Sequence, residues 1–148
     1  MLGNPMKGAM KKARWMGWAG VWEEAHTTGK QSRSGGLATL VRAPTTPYRM
    51  KVGGRQRWHG VVIPWKKGVA LNVINVYGWC GYECTAEDGN ARMLKEIREE
   101  LGALGSAPWV CGGDWNRTHE ELEVWWAGVG VVCVSGRSTQ VKGESWTG

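Results

Sequence analysis

Asp114 and Asn116 stand two residues apart in Gly112-Gly113-Asp114-Trp115-Asn116, directly after the apolar run Pro108-Trp109-Val110-Cys111. Side chains at i and i+2 of an extended segment share one face. If extension continues through Trp115, the carboxylate and the amide face a single bound group. An accepting carboxylate beside a donating amide suits activation of water next to a phosphate oxygen. The glycine pair lets the backbone pass close to a neighbour or ligand. An aspartate just before Arg117-Thr118 is equally a turn or helix-capping residue, so the pentapeptide alone leaves both readings open.

Tyr77 supplies a third candidate group, a phenol at the end of the β-branched run Val69 to Gly78. That run pairs naturally with Trp58 to Ile63 as an antiparallel hairpin through Pro64-Trp65-Lys66-Lys67-Gly68, a loop longer than the tightest type. Upstream, Leu37 to Ala43 reads as a strand opened by Gly35-Gly36 and broken by Pro44-Thr45-Thr46-Pro47, and Val52-Gly53-Gly54 adds a second loop signal. Gly20-Val21-Trp22 reads as a short strand. The main helix starts near Thr85, which can cap it, with Glu87 and Asp88 at its positive end. Leu94, Ile97, Leu101 and Leu104 give it one buried stripe, and Gly105 stops it. A shorter helix is expected from Thr118 to Trp126 and a further strand from Val129 to Val134. Residues 1–16 show no clear period and read as an irregular basic leader. The result is a mixed α/β chain.

Three segments follow in order: Ser34-Gly35-Gly36-Leu37-Ala38-Thr39-Leu40-Val41-Arg42, then Asn72-Val73-Ile74-Asn75-Val76-Tyr77-Gly78, then, after the helix, Pro108 to Asn116. In this order they resemble the middle of the endonuclease/exonuclease/phosphatase superfamily, especially its exonuclease III-like and retrotransposon-type members. The resemblance covers roughly residues 17–148 and is sharpest between Ser34 and Asn116. It implies an α/β fold of the α+β type, a two-sheet sandwich, with Mg²⁺ or Mn²⁺ as cofactor and in-line attack of water on a phosphoester. It implies nucleic acid, DNA favoured, as partner, and an intracellular location, nuclear for a retroelement product. Within that resemblance Asp114 orients or deprotonates the water, Asn116 contacts the water or phosphate, and Tyr77 steadies a phosphate oxygen.

The superfamily pattern also contains segments that are not matched here. A strand ending in Asn and a Gln-Glu segment precede the glycine pair in the family, and Glu23-Glu24 lies too close to Gly35 to replace them. Surface charge is the expected role of that pair. An Ile-Asp strand and a Ser-Asp-His segment follow in the family, whereas this chain reads Gly143-Glu144-Ser145-Trp146-Thr147-Gly148. His26, His59 and His119 are expected to be surface or packing histidines. The expectation is a partial sandwich lacking the first and last catalytic strands, with an incomplete metal ligand set and little activity by itself.

Composition bounds the partner. The chain has 148 residues, a net charge of +6 and eleven Trp against three Tyr and no Phe, with a pI near 9.4. Such a balance fits a polyanion through phosphate neutralisation. The basic residues fall into Lys7, Lys11, Lys12 and Arg14; Lys30, Arg33 and Arg42; and Arg49, Lys51, Arg55, Arg57, Lys66 and Lys67. The last group flanks strands near the candidate site, and Arg55, Arg57, Lys66 and Lys67 are the expected guides for a phosphate backbone, with solvated loop charge as the plain alternative. Cys80, Cys84, Cys111 and Cys133 lack metal-finger spacing and read as reduced thiols. No membrane-length apolar span occurs. Beside the phosphodiesterase reading stand a non-catalytic, Trp-rich nucleic-acid-binding remnant and a small carbohydrate-binding module.

Overall fold

The computed structural model describes residues 5–27, 33–34, 36–50, 57–79 and 84–127. The chain divides into two compact units, Met1–Asn116 and Arg117–Gly148. The first runs α1 (Pro5–Trp15), β1 (Trp18–Glu23), β2 (His26–Thr27), β3 (Arg33–Ser34), β4 (Leu37–Arg42), β5 (Tyr48–Arg49), β6 (Trp58–Lys66), β7 (Val69–Tyr77), α2 (Cys84–Leu104) and β8 (Trp109–Asp114), and α3 (His119–Trp126) belongs to the second. The architecture is mixed α/β, as the sequence predicts.

The larger sheet has the order β5-β6-β7-β8. β6 and β7 form the expected antiparallel hairpin, and β7 and β8 run parallel with α2 as the crossover that such a pair requires. The hairpin is tighter than the sequence suggests. β6 continues past Pro64 to Lys66 through a register shift between Pro64 and Lys66, so only Lys67 and Gly68 connect the strands. Proline reads as a strand breaker, but a bulge accommodates it without a ladder bond. Gly68, with φ 78°, takes the left-handed position of the turn.

Alternation along β7 buries Asn72, Ile74 and Val76 on one face. α2 is tied to that side of the sheet by the Trp58 indole N–H, which donates to Glu96 at 3.1 Å. Its predicted stripe is buried at Leu94, Ile97 and Leu101, joined by Met93, while Leu104 is half-buried. Each such apolar side chain removed from water contributes about 1.5–3 kcal/mol, so this face of the sheet is the core. α2 begins at Cys84, which places Thr85 inside the helix rather than ahead of it.

β1 and β4 form a second, antiparallel ladder from Trp18↔Arg42 to Glu23↔Leu37. It meets the other face of the larger sheet, where Thr39 Oγ1 lies 2.7 Å from His59 Nε2 and Asn75 Nδ2 donates to the Ala38 carbonyl at 3.1 Å. Arg49 bonds the Glu23 carboxylate and the Trp22 carbonyl, tying β5 to β1. Glu23 is therefore an inter-strand ion-pair partner rather than simple surface charge. β2 and β3 make a separate two-residue ladder.

Residues 5–15, expected to be irregular, are helical. Met6, Met10 and Ala13 are its partly covered positions, at 4-3 spacing, and the helix packs on β1. So short a stripe of small and flexible residues, interrupted by Gly8, carries too weak a period to be read without the strand beneath it. In the second unit, Thr118 caps α3 in a capping box with Glu121, as the Thr118-to-Trp126 expectation requires. Lys51, Arg55, the Val52-Gly53-Gly54 signal and the expected strand Val129 to Val134 lie outside the described residues. No helix of the described residues is long and apolar enough to cross a membrane.

Candidate functional site

Tyr77 and Asp114 are register partners on the parallel strands β7 and β8, the last residue of each. The side chains of directly paired residues lie on one face of a sheet. Immediately before β6, the Arg57 carbonyl accepts the Tyr77 N–H at 2.7 Å, which continues the antiparallel register Trp58↔Val76. Arg57, Tyr77 and Asp114 thus form a row across three adjacent strands, at the carboxyl ends of the two parallel ones. That end of a parallel pair is where open α/β sheets place their ligands. The next row on the same face is His59, Asn75 and Gly112, and the next is the apolar Val61, Val73 and Val110. The face therefore grades from apolar through polar to ionic as it approaches the strand ends.

Arg57 is the unusual member. It is only 7% exposed, with its guanidinium carbon 3.9 Å from the Trp79 ring centroid and 5.1 Å from that of Tyr77. Nε and Nη1 have no hydrogen-bond partner, and no carboxylate pairs with Arg57 among the described residues. A guanidinium held against two aromatic faces gains cation–π attraction from both. A buried cation without a counter-charge is costly, and an anion at this end of the sheet would relieve that cost.

The strand ends fit closely, and glycine is what lets them. Gly113 has φ 146°, and a Cβ there would collide with the Val76 carbonyl. A Cβ at Gly78 would collide with the Trp115 carbonyl. The Gly78 N–H donates to the Asp114 carbonyl at 2.6 Å. Trp79, next along, is locked to α2 by the fully buried Asn90, whose amide bonds both the Trp79 N–H (2.8 Å) and its carbonyl (2.9 Å). Asn90 thereby holds the ring against which Arg57 rests.

Asp114 and Asn116 come together, though not by continued extension. The strand ends at Asp114, and Asn116 is left-handed with φ 50°. Its N–H donates to Asp114 Oδ1 at 3.1 Å, an Asx turn, and its Nδ2 donates to the Gly78 carbonyl at 2.9 Å. Asparagine tolerates this conformation better than most residues. One amide donor expected to reach a phosphate is thus committed to fastening the β8 end to the β7 end. Asp114 itself is exposed.

Lys66 and Lys67, expected to flank the site, lie at the opposite end of the sheet. Lys66 pairs with Val69, eight residues before Tyr77, or roughly 26 Å along the strand at about 3.3 Å per residue. The antiparallel hairpin separates residues that a linear reading grouped together; Arg57 alone of the described members stands at the site. His59 is fully buried, and burial first, then the positive charge of Arg49, hold its pKa down to about 4, with Glu23 opposing. Its Nδ1 has no partner among the described residues, so the protonated ring would hold an N–H that none of them accepts. It is a packing histidine between the sheets. His119 lies beside Glu123 at 3.2 Å, one turn along α3, and the side chain of His26 lies outside the described residues. Cys111, half-buried in β8, has its thiol pushed up to about 12 by desolvation, which disfavours the reactive thiolate.

Among the described residues no group of three His, Cys, Asp or Glu side chains converges on a metal position. Asp114 is the sole carboxylate of the Arg57–Tyr77–Asp114 row, and Glu23 is engaged by Arg49. These residues by themselves do not fit a Mg²⁺ or Mn²⁺ site, which needs several oxygen ligands.

Asn90 and Trp79 were not singled out from sequence, although a signal existed. Asn90 extends the Leu94-Ile97-Leu101-Leu104 stripe by one turn, and a polar residue in a buried stripe must find a partner. No protein-family model matches the chain, and no curated protein matches its sequence significantly.

Proposed function

We propose that the first unit binds a phosphodiester of nucleic acid at the carboxyl ends of β7 and β8, as a phosphodiesterase domain of the endonuclease/exonuclease/phosphatase type. The observation that carries this reading is the row Arg57, Tyr77, Asp114, which sets a buried cation with no counter-charge among the described residues, a phenol and an exposed carboxylate side by side. In this reading the Arg57 charge and the Tyr77 hydroxyl attract and orient the phosphate oxygens. Asp114, fixed by the Asx turn through Oδ1, accepts a proton from the attacking water. DNA is the favoured substrate, through the retrotransposon-type resemblance.

The test is nicking of supercoiled plasmid by the purified chain with Mg²⁺ or Mn²⁺, beside an Asp114→Ala control. Cation-dependent nicking that falls by at least about a hundredfold in the control would support this reading and would require oxygen ligands beyond the described residues. Equal nicking by wild type and variant would remove Asp114 from the mechanism.

A non-catalytic nucleic-acid-binding role is the second reading, favoured by the single carboxylate in the row and by the committed amide of Asn116. It predicts plasmid binding without nicking, weakened by Arg57→Met.

A further inference from the structure

The β1–β4 ladder has a second face, turned away from the larger sheet. Thr39 meets His59 on the inner side, so alternation places Trp18, Gly20 and Trp22 of β1, with Leu40 and Arg42 of β4, on the outer side. Leu40 and Arg42 are exposed. The Arg42 guanidinium stands 5.2 Å from the Trp18 ring centroid and donates to the Met16 carbonyl at 3.3 Å. A cleft of about 280 Å³ opens between α1 and this face, lined by Met10, Arg14, Trp18, Trp22 and Pro47 among others.

α1 borders the cleft with charge of one sign. Its partly covered positions are Met6, Met10 and Ala13, while Lys7, Lys11, Lys12 and Arg14 are exposed and Trp15 is 87% exposed. No Asp or Glu occurs in residues 1–22, and the first acid, Glu23, is paired with Arg49. Cations beside the exposed Trp15 and the half-buried Trp18 are the two parts of a single-strand platform, in which charge follows the backbone and aromatic rings take base faces.

We propose that this outer face, formed by α1 and the β1–β4 ladder, binds single-stranded nucleic acid. Lys7, Lys11, Lys12, Arg14 and Arg42 neutralise successive phosphates, and Trp15 and Trp18 stack on unpaired bases. A duplex hides its base faces in its own stack and offers the indoles nothing. An anionic bilayer would need an apolar stripe on the exposed side of α1, but that side is cationic and Trp15 is its one large exposed apolar residue. The proposal stands independently of the phosphodiester reading at Tyr77 and Asp114.

The test is fluorescence anisotropy of the full chain with a labelled oligothymidylate, against a duplex of equal length, over a salt series. Single strands should bind at least tenfold more tightly than duplex. With five cations engaged, log K should fall against log salt with a slope of about −3.5, at about −0.7 per phosphate. Lys7→Ala with Lys11→Ala should flatten that slope by about 1.4. Trp15→Ala should weaken binding about tenfold and leave the slope unchanged. All three side chains are exposed or half-buried, so the variants keep the fold, which circular dichroism checks. Duplex bound as tightly as single strand, an affinity unmoved by both sets of substitutions, or displacement of the oligonucleotide by phosphatidylserine vesicles would each overturn the assignment.

Discussion

Tyr77 and Asp114 end neighbouring parallel strands in direct register, and the residue after the first, Gly78, donates its N–H to the carbonyl of the second at 2.6 Å. The phenol and the carboxylate therefore sit on one rigid edge. Their separation is set by strand spacing, about 4.8 Å, rather than by loop conformation. Arg57 extends that edge by one strand and gives it positive charge.

Arg57→Met tests whether that charge serves function or fold. The substitution removes a buried cation that no carboxylate of the described residues pairs with, and retains much of the stem volume between Tyr77 and Trp79. Urea denaturation should show stability unchanged or raised by about 1 kcal/mol, while nucleic-acid affinity falls. A stability loss above about 2 kcal/mol with unaltered binding would make Arg57 a structural residue.

Gly113→Ala should be among the most damaging single changes at the site. The new Cβ meets the Val76 carbonyl, and φ 146° strains any L side chain. We expect a loss of about 3 kcal/mol or more in chemical denaturation. Gly112→Ala, where a Cβ meets open space, should cost well under about 1 kcal/mol; equal costs would contradict the close strand packing.

Asn116 separates conformation from hydrogen bonding. Asn116→Gly keeps the left-handed φ of 50° and loses the bond to the Gly78 carbonyl, whereas Asn116→Ala loses both. The alanine variant should be less stable than the glycine variant by about 1 kcal/mol. The reverse order would mean that the left-handed conformation is not retained in solution.

His59 makes the fold acid-sensitive. Its folded pKa of about 4 lies below the ordinary value of 6.5, so the unfolded chain takes up the proton first. The contribution is fully present above about pH 6.5 and is lost as pH falls toward 4, amounting to about 3 kcal/mol across that window. His59→Gln, compared with wild type by denaturation at pH 7 and pH 4.5, should flatten the dependence. An identical slope in the variant would shift the effect to other groups.

Local regularities were legible in the residues. The 3-4-3 stripe of α2, the short helix expected from Thr118 to Trp126 and the β-branched runs of β6 and β7 each depend on neighbours within one or two turns. The same holds for Asp114 and Tyr77 as strand-end polar residues, a consequence of where apolar runs stop. α1 was missed because its stripe is three weak positions that gain meaning only against β1. The tight Lys67-Gly68 turn was missed because Pro64 reads as a breaker until a bulge absorbs it.

The sequence by itself determined the longer strands and the two later helices, and that acid, amide and phenol stand at or just past strand ends, since periodicity and termination are short-range properties. Tertiary structure alone decided their grouping. It brought Arg57 beside Tyr77, twenty residues on, and sent Lys66 and Lys67 to the far end. It also turned Asn116 from an outward amide into a fastening between two strands. These outcomes depend on pairing register and on close backbone approach at Gly78 and Gly113, which are relations between distant segments that no local pattern encodes.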